Sequence, residues 1–139
     1  MRLVVVSEGR NVVAAAYTSR GDSCPAIDFL YKEVEANMEA HVDGLFSLFE
    51  SYAESGVGKL TESQFHPAGA NGEVFRFRKG RLRIYCFKDG NNLVIATHGC
   101  VKKQNATDDK DIGAALRMKK QYFADKALGN LVWERDDEY

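Results

Sequence analysis

Between Val74 and Lys103 the chain carries Arg76, Arg78, Arg81, Arg83, Lys88, Lys102 and Lys103, with Lys79 in a turn, and Asp89 is the one acid in that stretch. Guanidinium and ammonium groups spaced this closely suit a polyanion, and a nucleic-acid backbone is the obvious one. Tyr85 lies among these cations and adds an aromatic face, the combination with which open sheets hold single-stranded RNA. His98 in the same stretch titrates near neutrality by its nature and could give or take a proton. The plainer reading is a sheet face kept soluble by charge, with Lys102-Lys103 a solvated strand end and His98 a hydrogen-bonded interior residue.

The elements that would carry these groups can be read from periodicity. Val74 to Arg78, Leu82 to Phe87 and Asn92 to Gly99 are short β-rich runs, the last extendable through Val101. They are joined by the turn signals Lys79-Gly80 and Asp89-Gly90-Asn91. Strand side chains alternate between faces. Leu82, Ile84 and Cys86 therefore share an apolar face with Phe75 and Phe77. Arg76, Arg78, Arg83 and Tyr85 share the other. Both sets in the third run are largely apolar, so alternation does not orient His98.

Upstream, Leu3–Val6 and Asn11–Tyr17 form a hairpin around Ser7-Glu8-Gly9-Arg10, and Pro25 suits the first turn of a helix over 25–37. A more amphipathic run, Val42, Leu45, Phe46, Leu48, Phe49 and Tyr52, predicts a helix over 39–54 that ends at Gly56 and Gly58; the two could also form one kinked helix. Residues 60–72, with His66 before Pro67, read as a mobile loop, and His41 as a helix-surface residue. Thr107 is a candidate cap for a third helix to about Lys126, with Asp108, Asp109 and Asp111 favourable to its dipole. Tyr122 lies on its apolar face and can belong to the core or reach the cationic sheet. Leu131 to Trp133 reads as a short strand or apolar anchor, and 134–139 as an acidic tail. The order predicts an α+β, two-layer domain: an antiparallel sheet with two helices in the N-terminal half and one at the C-terminal end.

With 139 residues, 45% hydrophobic and 28% charged, one domain with a real core is expected, and disorder is excluded. The net charge of −1 hides the local cationic cluster. MRLVVV is too short to span a membrane and lacks a secretory pattern after it, so a cytoplasmic protein is expected. Cys24, Cys86 and Cys100 are odd in number and lack C-x-x-C spacing, which argues against a disulfide framework or zinc site. Cys86 and Cys100 read as small buried apolar residues.

The segment from Gly72 to Tyr122 resembles the RelE/ParE toxin superfamily, in particular its HigB-type, phage-derived branch. The resemblance rests on Val74-Phe75-Arg76, on Leu82-Arg83-Ile84-Tyr85, on Thr97-His98-Gly99-Cys100-Val101-Lys102-Lys103, and on Ala115, Arg117 and Tyr122 of the following helix. The helices over Ile27–Tyr52 extend it, so that it covers a core of about 25–126 within a single domain spanning 1–139. Residues 127–139 form an extension outside the pattern, and the N-terminal hairpin is longer than usual. The resemblance implies the toxin of a toxin–antitoxin pair that cuts mRNA on the ribosome without metal or other cofactor, and a cognate antitoxin, often a helix-turn-helix protein.

Metal-free cleavage by 2′-hydroxyl attack needs a base, cations for the developing phosphorane charge and an acid for the leaving oxygen. The resemblance implies Arg76 and Arg83 as phosphate stabilisers and Lys102 and Lys103 as backbone or proton-transfer groups. His98 is a candidate acid or base, and Arg78, Tyr85 and Tyr122 are candidate RNA contacts. A ParE-like gyrase inhibitor and a non-catalytic phage-derived binding module share the fold and remain as alternatives.

Overall fold

The computed structural model describes residues 1–69, 71–103 and 108–135, so the candidate cap Thr107 and the tail beyond Arg135 lie outside the described residues. The chain is an α+β fold of one seven-stranded sheet and three main helices among the described residues. The strands are β1 (Arg2–Glu8), β2 (Val12–Ala16), β3 (Phe65–Ala68), β4 (Val74–Lys79), β5 (Leu82–Lys88), β6 (Leu93–Val101) and β7 (Val132–Arg135), in the sheet order β3-β4-β5-β6-β2-β1-β7.

The meander β4-β5-β6 is antiparallel, as its turn chemistry demands, with Gly80 and Gly90 at φ of 57° and 71° in the turns. The N-terminal hairpin continues the same sheet, because β2 pairs in parallel with β6; β7 pairs in parallel with β1. Residues 65–68, expected as loop, form the edge strand β3 on β4. Pro67 is compatible with that place, since an edge strand tolerates a missing N–H.

Helix α1 (Pro25–Asp28) passes directly into a π-helical turn over Phe29–Glu33. The chain then becomes extended at Val34, so α1 and α2 (Glu39–Ser55) are separate helices. Both pack on the sheet face that carries Phe77, Leu82, Ile84, Cys86, Val94 and Ala96. Phe77 is fully buried, edge-on to Phe49 at 4.9 Å and to Tyr52 at 6.3 Å. Each large side chain withdrawn from water in this way contributes about 1.5–3 kcal/mol. Helix α3 (Asp109–Ala127) crosses part of the opposite face, covering Val74, Tyr85, Phe87 and Ile95 with Ala115 and Tyr122. Beyond α3's N-terminal end, around the β4–β5 turn, no described helix covers that face. No helix among the described residues is long and apolar enough to cross a membrane.

Strand β6 contains one irregularity that matters for the site. Tyr85 pairs with His98, but the next residue, Cys86, pairs with Ala96, which leaves Thr97 as a bulge. Before the bulge Val94 and Ala96 face α1 and α2; after it His98 and Cys100 face α3. Gly99 then lies beneath the π turn, where a Cβ would come within 2.3 Å of the Phe29 ring.

Candidate nucleic-acid interface

The pairing registers place four side chains in one row across the sheet on the α3 side: His66 on β3, Arg76 on β4, Tyr85 on β5 and His98 on β6. The neighbouring row toward the β4–β5 turn pairs Arg78 with Arg83 and Arg83 with Cys100. Alternation thus delivers Arg76, Arg78, Arg83 and Tyr85 to one face, as the sequence predicts, and the bulge adds His98. His66 belongs to this ordered row and not to a mobile loop.

The second row opens into a cleft of about 510 Å³ lined by Arg78, Gly80, Arg81, Arg83, Lys102 and Lys103. That volume is in the range of small-ligand sites. Arg83 is only 6% exposed, although the alternation pattern placed it on an open face. Its Nη1 donates to the carbonyls of Gly80 at 2.7 Å and Leu82 at 3.0 Å, while its buried Nε has no partner among the described residues. Burial, then the charges of Arg78 and Arg76, pull the Arg83 guanidinium below its usual range. No described carboxylate pairs with Arg78, Arg81, Arg83 or Lys103. A buried donor without an acceptor costs about 1–3 kcal/mol. An anion in the cleft would supply the missing counter-charge.

The first row is neutralised from α3. Asp108 accepts from Tyr85 Oη at 2.6 Å and Lys102 Nζ at 2.6 Å on Oδ1, and from Arg76 Nη1 on Oδ2. Burial pushes the Asp108 carboxyl up, but the bonds from Lys102 and Tyr85 and the charge of Arg76 outweigh it and hold the group below the usual aspartate range. Asp108 is therefore a firmly ionised acceptor and a weak base. For Tyr85, burial and the bond to Asp108 push the phenol well above its ordinary value, so it stays a hydrogen-bond donor. Its ring is fully buried and stacked on His98 at 5.1 Å, so it offers no free face to a base, contrary to its expected stacking role.

Hydrogen-bond roles define the histidines. His66 Nδ1 donates to the Pro67 carbonyl at 2.9 Å, which leaves Nε2 to accept from Arg76 Nε at 3.1 Å. Burial and the neighbouring Arg76 and Arg78 lower the His66 pKa and keep the ring neutral. The Thr97 hydroxyl donates to the Tyr85 carbonyl at 3.2 Å and so accepts from His98 Nδ1 at 3.0 Å. His98 Nε2 faces Asp111 Oδ1 at 2.9 Å. Thr97 and Asp111 thus hold the His98 ring by both of its nitrogens.

Lys102 and Lys103 stand where the sequence put them, but they differ. Lys102 is bound to Asp108 and also lines the cleft, whereas Lys103 is exposed. Tyr122 is not brought to the cleft. It is 1% exposed, packs on Phe87 and donates to Asp89 at 2.6 Å, at the far end of β5 from Arg83. His41 packs over the β4–β5 turn, where its ring would meet a Cβ on Gly80 at 2.5 Å. The thiols are poor nucleophiles: burial pushes Cys24 up to about 11 and raises Cys86 and Cys100 as well. Among the described residues no three His, Cys, Asp or Glu gather as a metal-ligand group.

Asp108 and Asp111 are what sequence reasoning missed as site residues, having taken them only as acids favourable to a helix dipole. Their i, i+3 spacing at the start of a helix that follows a basic strand was the available signal.

Residues 35–120 match the family model described as Phage derived protein Gp49-like (DUF891). This stretch runs from the residues ahead of α2 into α3, well over half of the chain, and it contains both rows and the whole cleft. No curated protein matches the chain.

Proposed function

We propose, from the premise that this chain belongs to the Phage derived protein Gp49-like family, that it is a toxin that cuts mRNA without metal. That family is associated with the toxins of toxin–antitoxin pairs. Within it, the HigB-like motifs favour a ribosome-dependent endoribonuclease acting in the cytoplasm, held in check by a cognate antitoxin of helix-turn-helix type.

The observation that carries the reading is the cleft of Arg78, Arg81, Arg83 and Lys103, cations without carboxylate partners among the described residues, alongside a row of proton-transfer groups. In this reading the cleft grips the RNA backbone. Arg83 meets the phosphate at the cleaved bond and stabilises the charge that builds on it as the 2′-hydroxyl attacks, while Arg76 holds the phosphate beside it. His98, held by Thr97 and Asp111, supplies the proton for the departing 5′-oxygen, and Lys102 supports the same step. The proton of the 2′-hydroxyl passes to water, and the first product ends in a 2′,3′-cyclic phosphate.

Expression of the chain alone is expected to arrest growth. Primer extension should then show new 5′ ends in translated mRNA, and the purified chain with ribosomes should make the same cuts. Arrest with intact transcripts and inhibited gyrase would overturn the ribonuclease reading in favour of a ParE-like action; no arrest would overturn the toxin reading.

A further inference from the structure

Asp108 occupies the N-cap position of α3 without capping it. Its carbonyl accepts from Ile112 at 2.8 Å, but its side chain makes no bond to the helix's first amides, the ordinary task of an aspartate there. It turns back onto the sheet, where three donors converge on its two oxygens: Arg76 of β4, Tyr85 of β5 and Lys102 just past β6. A guanidinium, an ammonium and a phenol around one oxyanion group are also what a phosphodiester's two non-bridging oxygens require. Lys102 belongs to this group and to the cleft at once. An anion that draws Lys102 toward the cleft therefore weakens the hold on Asp108.

We infer that Arg76, Tyr85 and Lys102 form a second phosphate seat beside the cleft, and that Asp108 fills it as an internal stand-in until a nucleic-acid phosphate displaces it. The cleft takes one phosphate of a strand on Arg83 and its neighbours. The seat takes an adjacent one once the Asp108 side chain has swung out, and that side chain is then free to accept from the exposed amides of its own helix. The free chain is thereby self-shielded: two of its strongest cations are spent on its own carboxylate, and loose anions bind weakly. This inference deepens the ribonuclease reading, but it concerns binding and not cleavage.

The test uses a fluorescent single-stranded DNA oligonucleotide, which carries the same phosphodiesters but lacks the 2′-hydroxyl. Asp108→Asn keeps the size and one acceptor and removes the charge. It is expected to bind the oligonucleotide about tenfold more tightly than the wild-type chain, with a steeper salt dependence because two more cations are released for contact. In the wild-type chain, saturation with the oligonucleotide should move the ¹³C resonance of the Asp108 carboxyl, a readout that needs no variant to fold. Unchanged or weaker binding by a folded Asp108→Asn chain, or a carboxyl resonance unmoved at saturation, would overturn the seat. If the seat is upheld while the wild-type chain cuts no RNA, only the ribonuclease reading falls; if RNA is cut and the seat fails, only this inference does.

Discussion

Removing the Arg83 charge while keeping its stem separates a built anion site from a solvated face. Arg83→Met retains the buried aliphatic length and deletes the guanidinium whose Nε stands without a partner. Four cations of the cleft lack carboxylate partners among the described residues, Arg78, Arg81, Arg83 and Lys103. Single strands release roughly 0.7 counterion per phosphate neutralised, so four contacts predict a slope of about −2.8 for log K against log salt. Arg83→Met should reduce that slope to about −2.1 and weaken binding by about 1.5–3 kcal/mol, the worth of a charge-assisted bond. The structural cost is separable. The variant loses the bonds to the Gly80 and Leu82 carbonyls, but it also relieves repulsion from Arg78 and Arg76. A net loss of about 1–2 kcal/mol leaves a domain of ordinary stability folded. Anisotropy titrations of a labelled oligonucleotide at several salt concentrations, with a melting curve for each chain, read both quantities. An unchanged slope in a folded variant would refute the assignment of Arg83 to the anion site, as would a collapse in melting temperature that accounts for the whole loss of binding.

Two further outcomes follow from the geometry. The folded-state pKa values of His66 and Asp108 both lie below their ordinary values, so the unfolded chain binds more protons in acid and stability rises with pH. The His66 contribution is complete above its ordinary pKa of 6.5 and fades as pH falls through its lower folded value, with the Asp108 contribution fading further into acid. Melting temperatures should drop between about pH 7 and pH 5, less so in His66→Gln; parallel profiles for the two chains would remove His66 from the explanation. Gly99→Ala should cost about 1–3 kcal/mol by overpacking, because its methyl meets the Phe29 ring and Ile84 Cδ1 at 2.3 and 2.8 Å. Denaturant unfolding checks this, and a neutral change would mean that the π turn yields freely.

The central meander was legible because its signals are local: alternating Phe75, Arg76, Phe77 and Arg78, and glycine turns after Lys79 and Asp89. The faces of β4 and β5 followed from the same alternation. Strand β3 was not legible, since His66-Pro67 carries turn chemistry and only its place at the sheet edge makes it a strand. The docking of β2 beside β6 is a long-range pairing between two apolar strands, which no local pattern encodes. In the site, the cations were visible as a cluster, but their counter-charges were not. Asp108 reaches Arg76 and Lys102 only once α3 lies across the sheet. Tyr122 shows the same limit from the other side: residue type pointed it toward RNA, and burial under α3 took it out of reach, while burial of the Tyr85 ring leaves only its hydroxyl at the site.

The bulge at Thr97 makes the register of β6, and not only its composition, part of the site. A ladder that ran on without it, with Thr97 opposite Tyr85, would pair with β5 without interruption. It would also turn His98 to the face of α1 and carry Gly99 out from beneath Phe29, dismantling the row of His66, Arg76, Tyr85 and His98 without altering a single one of them. The one residue that stands outside the pairing thus decides which side of the sheet the last member of the row belongs to.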